Sequence, residues 1–168
     1  MVIIVKIKRC SDGFRSGYLR KALDYLSDKE KAKHIGGYAV NPYNVDETYA
    51  QMCYVKEYFH KTQDNPLIHF IISFGKEVKT YEKAKSHAIL IGAYFKCRYQ
   101  LLWAVHQKQR GESMYHVHMI LNATSFVDGK LFDSYKTENI EAFCEHIQNV
   151  TGSACRYYYA GARSSDEA

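Results

Sequence analysis

Three histidines in this sequence are spaced so that a single metal ion could meet all of them. His116 and His118 sit two residues apart in Tyr115-His116-Val117-His118-Met119-Ile120-Leu121-Asn122. On a β-strand, side chains two residues apart share a face, so both imidazoles point the same way and Asn122 joins them. His106 closes an upstream apolar run, Trp103-Ala104-Val105-His106, and Gly111 lies midway between His106 and His116. A hairpin centred near Gly111 sets His106 directly opposite His116, with the two side chains on one side of the sheet. Three neutral imidazoles leave coordination positions open, as a catalytic metal site requires. The expected cofactor is one divalent metal ion, manganese or magnesium first, with other transition metals as alternatives. No acidic cluster of the two-metal nuclease kind accompanies the histidines. The chemistry indicated is therefore one metal polarising a phosphate while a side chain attacks.

The side chains that could attack or guide a phosphate lie elsewhere in the chain. A helix is predicted over about residues 17–27, with the apolar stripe Leu19, Ala22, Leu23 and Leu26. Tyr18 and Tyr25 stack one above the other along the edge of that stripe, where a residue can face a cleft. In the strand predicted over 67–74, Ile68, Phe70, Ile72 and Phe74 take one face, and His69, Ile71 and Ser73 take the other. His69 and Ser73 are candidates to line the histidine face. Arg9, Arg15, Arg20, Lys21 and Arg156 are candidate phosphate contacts.

These residues must be positioned by a folded domain, and the pattern supplies one. Residues 2–9 read as a buried strand, interrupted by Ser11-Asp12-Gly13, and Gly36-Val40 reads as a short strand. Asn44 with Glu47 resembles a capping box and opens a second helix, which Asp64-Asn65-Pro66 ends. A third helix is expected over 80–97, with Ala84, Ala88, Ile91 and Phe95 inward. Strands follow at 99–107 and 114–122, and Asp128-Gly129 marks a turn. The last helix spans about 138–150, with Ile140, Phe143, Cys144 and Ile147 inward and Gly152 as its stop. The order predicts an α+β domain: a mainly antiparallel sheet of about five strands, with helices mostly on one face.

Length and composition agree with that reading. At 168 residues, 46% hydrophobic and 24% charged, the chain fits a single domain spanning 1–168, with 161–168 expected as a flexible tail. A net charge of +5 permits nucleic-acid binding without requiring it. Cys10, Cys53, Cys97, Cys144 and Cys155 form no Cys-x-x-Cys pair, which argues against a disulfide framework or a zinc ribbon and for reduced thiols in a cytoplasm. The opening Val2–Lys8 run is too short and too charged for a signal peptide or membrane span.

Taken together, the motifs resemble the mobilisation-type (MobA-type) relaxases of the HUH endonuclease superfamily. Ala22-Leu23-Asp24-Tyr25-Leu26 looks like that family's helical tyrosine motif, and His69-Phe70-Ile71-Ile72-Ser73-Phe74 is similar to its second motif. Ala104-Val105-His106 with His116 through Asn122 looks like the third, and Gly129-Lys130 fits the layout that follows. The likeness runs in order over roughly residues 2–150. It implies that Tyr25 attacks a phosphodiester in single-stranded DNA at an origin of transfer, leaving a 5′-phosphotyrosine and a free 3′-hydroxyl. His106, His116 and His118 would hold the metal, and His69, Ser73, Asn122, Arg15, Arg20 and Tyr18 would support the site or the DNA. It further implies strand transfer during plasmid or conjugative-element mobilisation, in a bacterial cytoplasm. Relaxosome accessory proteins and a type IV coupling protein would be partners.

The sequence departs from the family pattern in one place. The family commonly has an Asp just after the first histidine and a short connection to the His pair. Here Gln107 to Met114 is longer and lacks that Asp, and Glu112 is the candidate substitute. The long region that follows many relaxase domains is also missing, so the chain reads as an excised domain or a short relaxase. Rival readings are a rolling-circle initiator or single-tyrosine HUH transposase using the Tyr157-Tyr158-Tyr159 run, or a non-catalytic DNA-binding module. A small-molecule metalloenzyme built on three histidines is a further alternative.

Overall fold

The computed structural model describes residues 1–9, 17–63, 67–107 and 115–160. Arg15, Glu112, Gly111 with its loop, the two breaks at 11–13 and 64–66, the tail at 161–168 and the side chain of Arg9 lie outside that description. Ten elements follow in chain order: β1 (Val2–Arg9), α1 (Tyr18–Leu26), β2 (Ala32–Tyr38), α2 (Val45–Tyr58), β3 (Leu67–Ser73), α3 (Tyr81–Gly92), β4 (Leu101–Gln107), β5 (Tyr115–Asn122), α4 (Thr137–Thr151) and β6 (Ala154–Tyr159). Among the described residues no helix is long and apolar enough to cross a membrane.

The strands form one sheet in the order β2-β4-β5-β3-β1-β6. Every neighbouring pair is antiparallel except β1 with β6. The α+β class and the mainly antiparallel sheet are as expected, and the sheet has a sixth strand. β6 escaped the sequence reading because its alternation, in Ala154-Cys155-Arg156-Tyr157-Tyr158-Tyr159, is carried by tyrosines and reads as a polar tail. At the sheet edge that composition suffices, since Cys155, Tyr157 and Tyr159 pack against the core while the intervening residues are exposed. β2 likewise begins earlier than expected, because Lys33 and His34 on an edge strand hide its pattern.

The helices are divided between the two faces, two on each, where the sequence suggested mostly one. α3 and α4 bury Ala84, Ala88, Ile91, Ile140, Phe143 and Ile147 against Ile3, Val5, Phe70, Ile72, Val105, Val117 and Met119. On the opposite face, α1 and α2 pack Leu19, Leu23, Leu26 and Met52 on Leu67, Leu102, Ala104 and Ile120. This face looks half polar in sequence because only its β4–β5 end is covered. Burying each leucine of α1 contributes about 1.5–3 kcal/mol, enough to seat the short helix firmly.

Local signals set the helix limits. Asn44 Oδ1 accepts the Glu47 N–H at 3.1 Å, and Thr80 Oγ1 accepts that of Lys83 at 3.3 Å. α3 stops at Gly92, short of the expected 97, although Phe95 remains in the core. Gly152 closes α4 in the left-handed region, at φ 68°, donating its N–H to Gln148 O.

The pairing of β2 with β4, which carries His106, allows no side chain at Gly36. That residue faces Trp103 across the pair, and an added Cβ would overlap the indole ring. Gly36→Ala is expected to cost about 1–3 kcal/mol by overpacking, measured by chemical denaturation; an unchanged midpoint would show that the indole can move aside.

Candidate active site

The histidine cluster is built by strand register. Across β4 and β5, His106 pairs with His116 and Ala104 with His118, the pairing expected for a hairpin centred on residue 111. Across β5 and β3, His116 faces Ser73 and His118 faces Ile71. The candidate ligand nitrogens of His106, His116 and His118 all lie within 4.8 Å of one another.

A fourth histidine joins them. His69 Nε2 lies 2.8 Å from His118 Nδ1, so that nitrogen of His118 is engaged and its Nε2 is the atom left to offer. His106 Nε2 donates to the Leu26 carbonyl at 3.3 Å, where α1 ends, which leaves its Nδ1. Burial sets the charge state. Desolvation, reinforced by the other histidines, pushes His118 down to about 2, and desolvation with nearby Lys8 and His106 brings His69 to about 4. Desolvation also lowers His106. At neutral pH these three imidazoles are neutral, the form that ligates metals. The donor set fits a divalent ion: three convergent imidazoles, of which burial holds His106 and His118 neutral and a hydrogen-bonded partner orients His118.

Tyr25 projects from the last turn of α1 over this cluster. Its ring makes edge contacts with His118 and His106, at centroid distances of 5.6 and 6.0 Å, yet the residue is 46% exposed. Lys31, just beyond α1, sits 4.8 Å from the centre of the same ring. Two clefts open on either side of Tyr25. One, of about 610 Å³, is lined by Tyr25, Glu30, Lys31, Lys33, His106, Gln107 and His116. The other, of about 530 Å³, reaches from Tyr25 and His118 past His69 and Ser73 to Lys6, Lys8 and Tyr158.

The remaining candidates divide. Tyr18, Lys21 and Ser73 line the second cleft with Tyr25. Arg156 is exposed at the sheet edge, opposite Ile4. Arg20 lines neither cleft, because its guanidinium is engaged by Asp24 at 3.0 Å and Asp46 at 2.6 Å, bracing α1 against α2. Asn122 is fully buried and contacts no histidine in the described structure. It donates to Met52 O and Gln100 Oε1 and accepts from Thr124 N, pinning the end of β5 to α2. Lys6 and Lys8 were not singled out from sequence, although their two-residue spacing on β1 was a legible signal. Lys31 carries no such signal, and Tyr158, marked in sequence only as part of the rival tyrosine run, comes near through packing.

An open, mainly antiparallel sheet that gathers histidines beneath an exposed tyrosine is the layout of an HUH-type nuclease. A family model described as "Relaxase: MobA/VirD2-like, nuclease domain" matches residues 18–152, and the chain belongs to that family. It is a relaxase-type nuclease domain, of a family that nicks DNA and binds it single-stranded. No match was found among curated proteins.

The hydrogen bond from His118 to His69 generates a test. His69→Ala is expected to weaken manganese binding roughly 10- to 100-fold, as loss of a ligand's hydrogen-bond partner does, read by calorimetric titration. Wild-type affinity in that variant would show that His118 needs no such partner.

Proposed function

We propose that this domain nicks single-stranded DNA at an origin of transfer through a 5′-phosphotyrosine on Tyr25, and later rejoins or transfers the strand, initiating mobilisation of a plasmid or conjugative element. The observation that carries this reading is the contact of the Tyr25 ring with His106 and His118 at the junction of two open clefts. A strand crossing from one cleft to the other would pass its backbone beneath the phenol.

In the proposed reaction the Tyr25 oxygen attacks phosphorus, a new P–O bond forms, and the bond to the 3′-oxygen breaks. The departing 3′-oxygen takes up a proton, and the phenol releases its own to solvent. The phosphate ester energy is kept in the tyrosine linkage, so reversal needs no nucleotide cofactor. His106, His116 and His118 would hold a divalent ion, manganese or magnesium first, whose charge when bound neutralises the phosphate oxygens. His69 keeps His118 turned toward that position. The Lys31 ammonium, bridged to Asp28 and lying over the Tyr25 ring, holds that ring in place above the histidines. Accessory proteins of a relaxosome and a type IV coupling protein in a bacterial cytoplasm would complete the process.

The rival nucleophiles are less well served by the geometry. Tyr157 and Tyr159 pack against the core. Tyr158 shares the site face, but β6 is three strand positions from β5, roughly 14 Å at the usual spacing. Tyr18 lines the second cleft, whereas Tyr25 lines both clefts and makes ring contacts with His106 and His118.

With manganese and a pool of single-stranded DNA, wild-type protein is expected to yield covalent adducts on a denaturing gel, and a chelator to remove them. Tyr25→Phe should abolish adducts and keep DNA binding, while Tyr158→Phe should still form them. Adducts that persist in Tyr25→Phe and vanish in Tyr158→Phe would instead support a rolling-circle type of enzyme. Lys31→Met should slow adduct formation by roughly 2- to 30-fold, the span of a cation–π contribution, with Lys31→Arg restoring most of the rate; equal rates would remove Lys31 from the reaction.

A further inference from the structure

Among the described residues, α1 and α2 leave the β1–β6 end of the site face uncovered, and the residues presented there have a distinct chemistry. Alternation on β1 puts Ile3, Val5 and Ile7 in the core and turns Lys6 and Lys8 outward, toward the second cleft. Lys21 of α1 enters the same cleft from above, and Tyr158 of β6 from the sheet edge. Tyr158 pairs with Lys6 across β1 and β6, and the Lys6 ammonium lies 5.7 Å from the centre of its ring.

Two observations point to a polyanion with flat apolar groups. First, three lysines from two elements converge on one cleft whose lining, among the described residues, contains no Asp or Glu. Among the described residues no carboxylate pairs with Lys6, Lys8 or Lys21, unlike Lys31, Lys130, Arg20 and Arg98. Like charges gathered without counter-charges raise the local potential and attract an anion. Second, Tyr158 is 47% exposed and stands beside these charges. A phenol ring left open to solvent next to ammonium groups is the pairing that single-stranded nucleic acids use, with bases stacked on rings and phosphates on cations.

We infer that this bare end of the sheet is a strand track: Lys6, Lys8 and Lys21 hold phosphates of the single-stranded DNA next to the scissile one, and a base stacks on Tyr158. The inference rests on the proposed function and adds the path of the strand to it. The track starts at Tyr25 and runs over Ser73 and Ile71 to β6, crossing β3 and β1. It covers several nucleotides without reading their sequence, because phosphates and stacking faces are common to all of them.

The test is the salt dependence of binding to a labelled, random-sequence single-stranded oligonucleotide, followed by fluorescence anisotropy. Each neutralised phosphate contributes about 0.7 to the slope of log affinity against log salt for single strands. Lys6→Gln with Lys8→Gln should therefore flatten the slope by about 1.4 and weaken binding at low salt, and Lys6→Arg with Lys8→Arg should keep the wild-type slope. Lys96→Gln, on an exposed residue outside both clefts, should leave it unchanged. Tyr158→Ala should weaken binding roughly 5- to 100-fold and Tyr158→Phe much less, as stacking requires. If wild-type protein binds DNA and forms adducts while the lysine and Tyr158 variants bind as it does, the track is wrong and the proposed function stands. If wild-type protein forms no adducts and binds no single strands, both are overturned.

Discussion

The antiparallel register of β3, β5 and β4 is the constraint on which the rest of the site depends. A slip of one residue between β4 and β5 would turn His106 to the opposite face and break up the cluster. Valine, methionine and leucine on the core side oppose such a slip, since it would bring Val105, Val117, Met119 and Leu121 out from under α3 and α4. The hydrophobic face thereby fixes the geometry of the polar one. Pairing of β5 with β3 extends the same control to Ser73 and, four residues along on the same face, to His69.

Packing on the polar face decides what the histidines can do. The stripe of α1 seats the helix over Leu102, Ala104 and Ile120, and its C-terminal turn then falls beside the cluster. From there Leu26 O takes the His106 N–H while Tyr25 shields His106 and His118 from above. Desolvation keeps His69, His106 and His118 neutral, and the His69 contact supplies the polar partner that the buried His118 ring needs. In relatives of this type an Asp commonly follows the first histidine. Gln107 follows it here, and His69 supplies an orienting contact from the neighbouring strand β3.

An open sheet edge is ordinarily a hazard, because unpaired strands invite other chains. Here β6 closes the β1 side with a short parallel strand whose alternate tyrosines serve the core. The outward residues Arg156 and Tyr158 then become part of the site face without disturbing the core.

The sequence by itself determined the histidine register, the elements carrying the four histidines and Tyr25, and the α+β class, because strand and helix periods are local properties of the chain. His106 opposite His116 required only a midpoint, and the placement of Tyr25 required only the edge of a stripe. Its membership of a relaxase family was legible for the same reason, since the motifs are short and ordered. Tertiary structure decided what depends on distance across the sheet. It added the sixth strand, divided the helices between the two faces and paired His69 with His118. It engaged Arg20 with acids and used Asn122 to hold a strand end. Lys31 and Tyr158 reached the site only through packing, which brings together residues that no spacing along the chain relates.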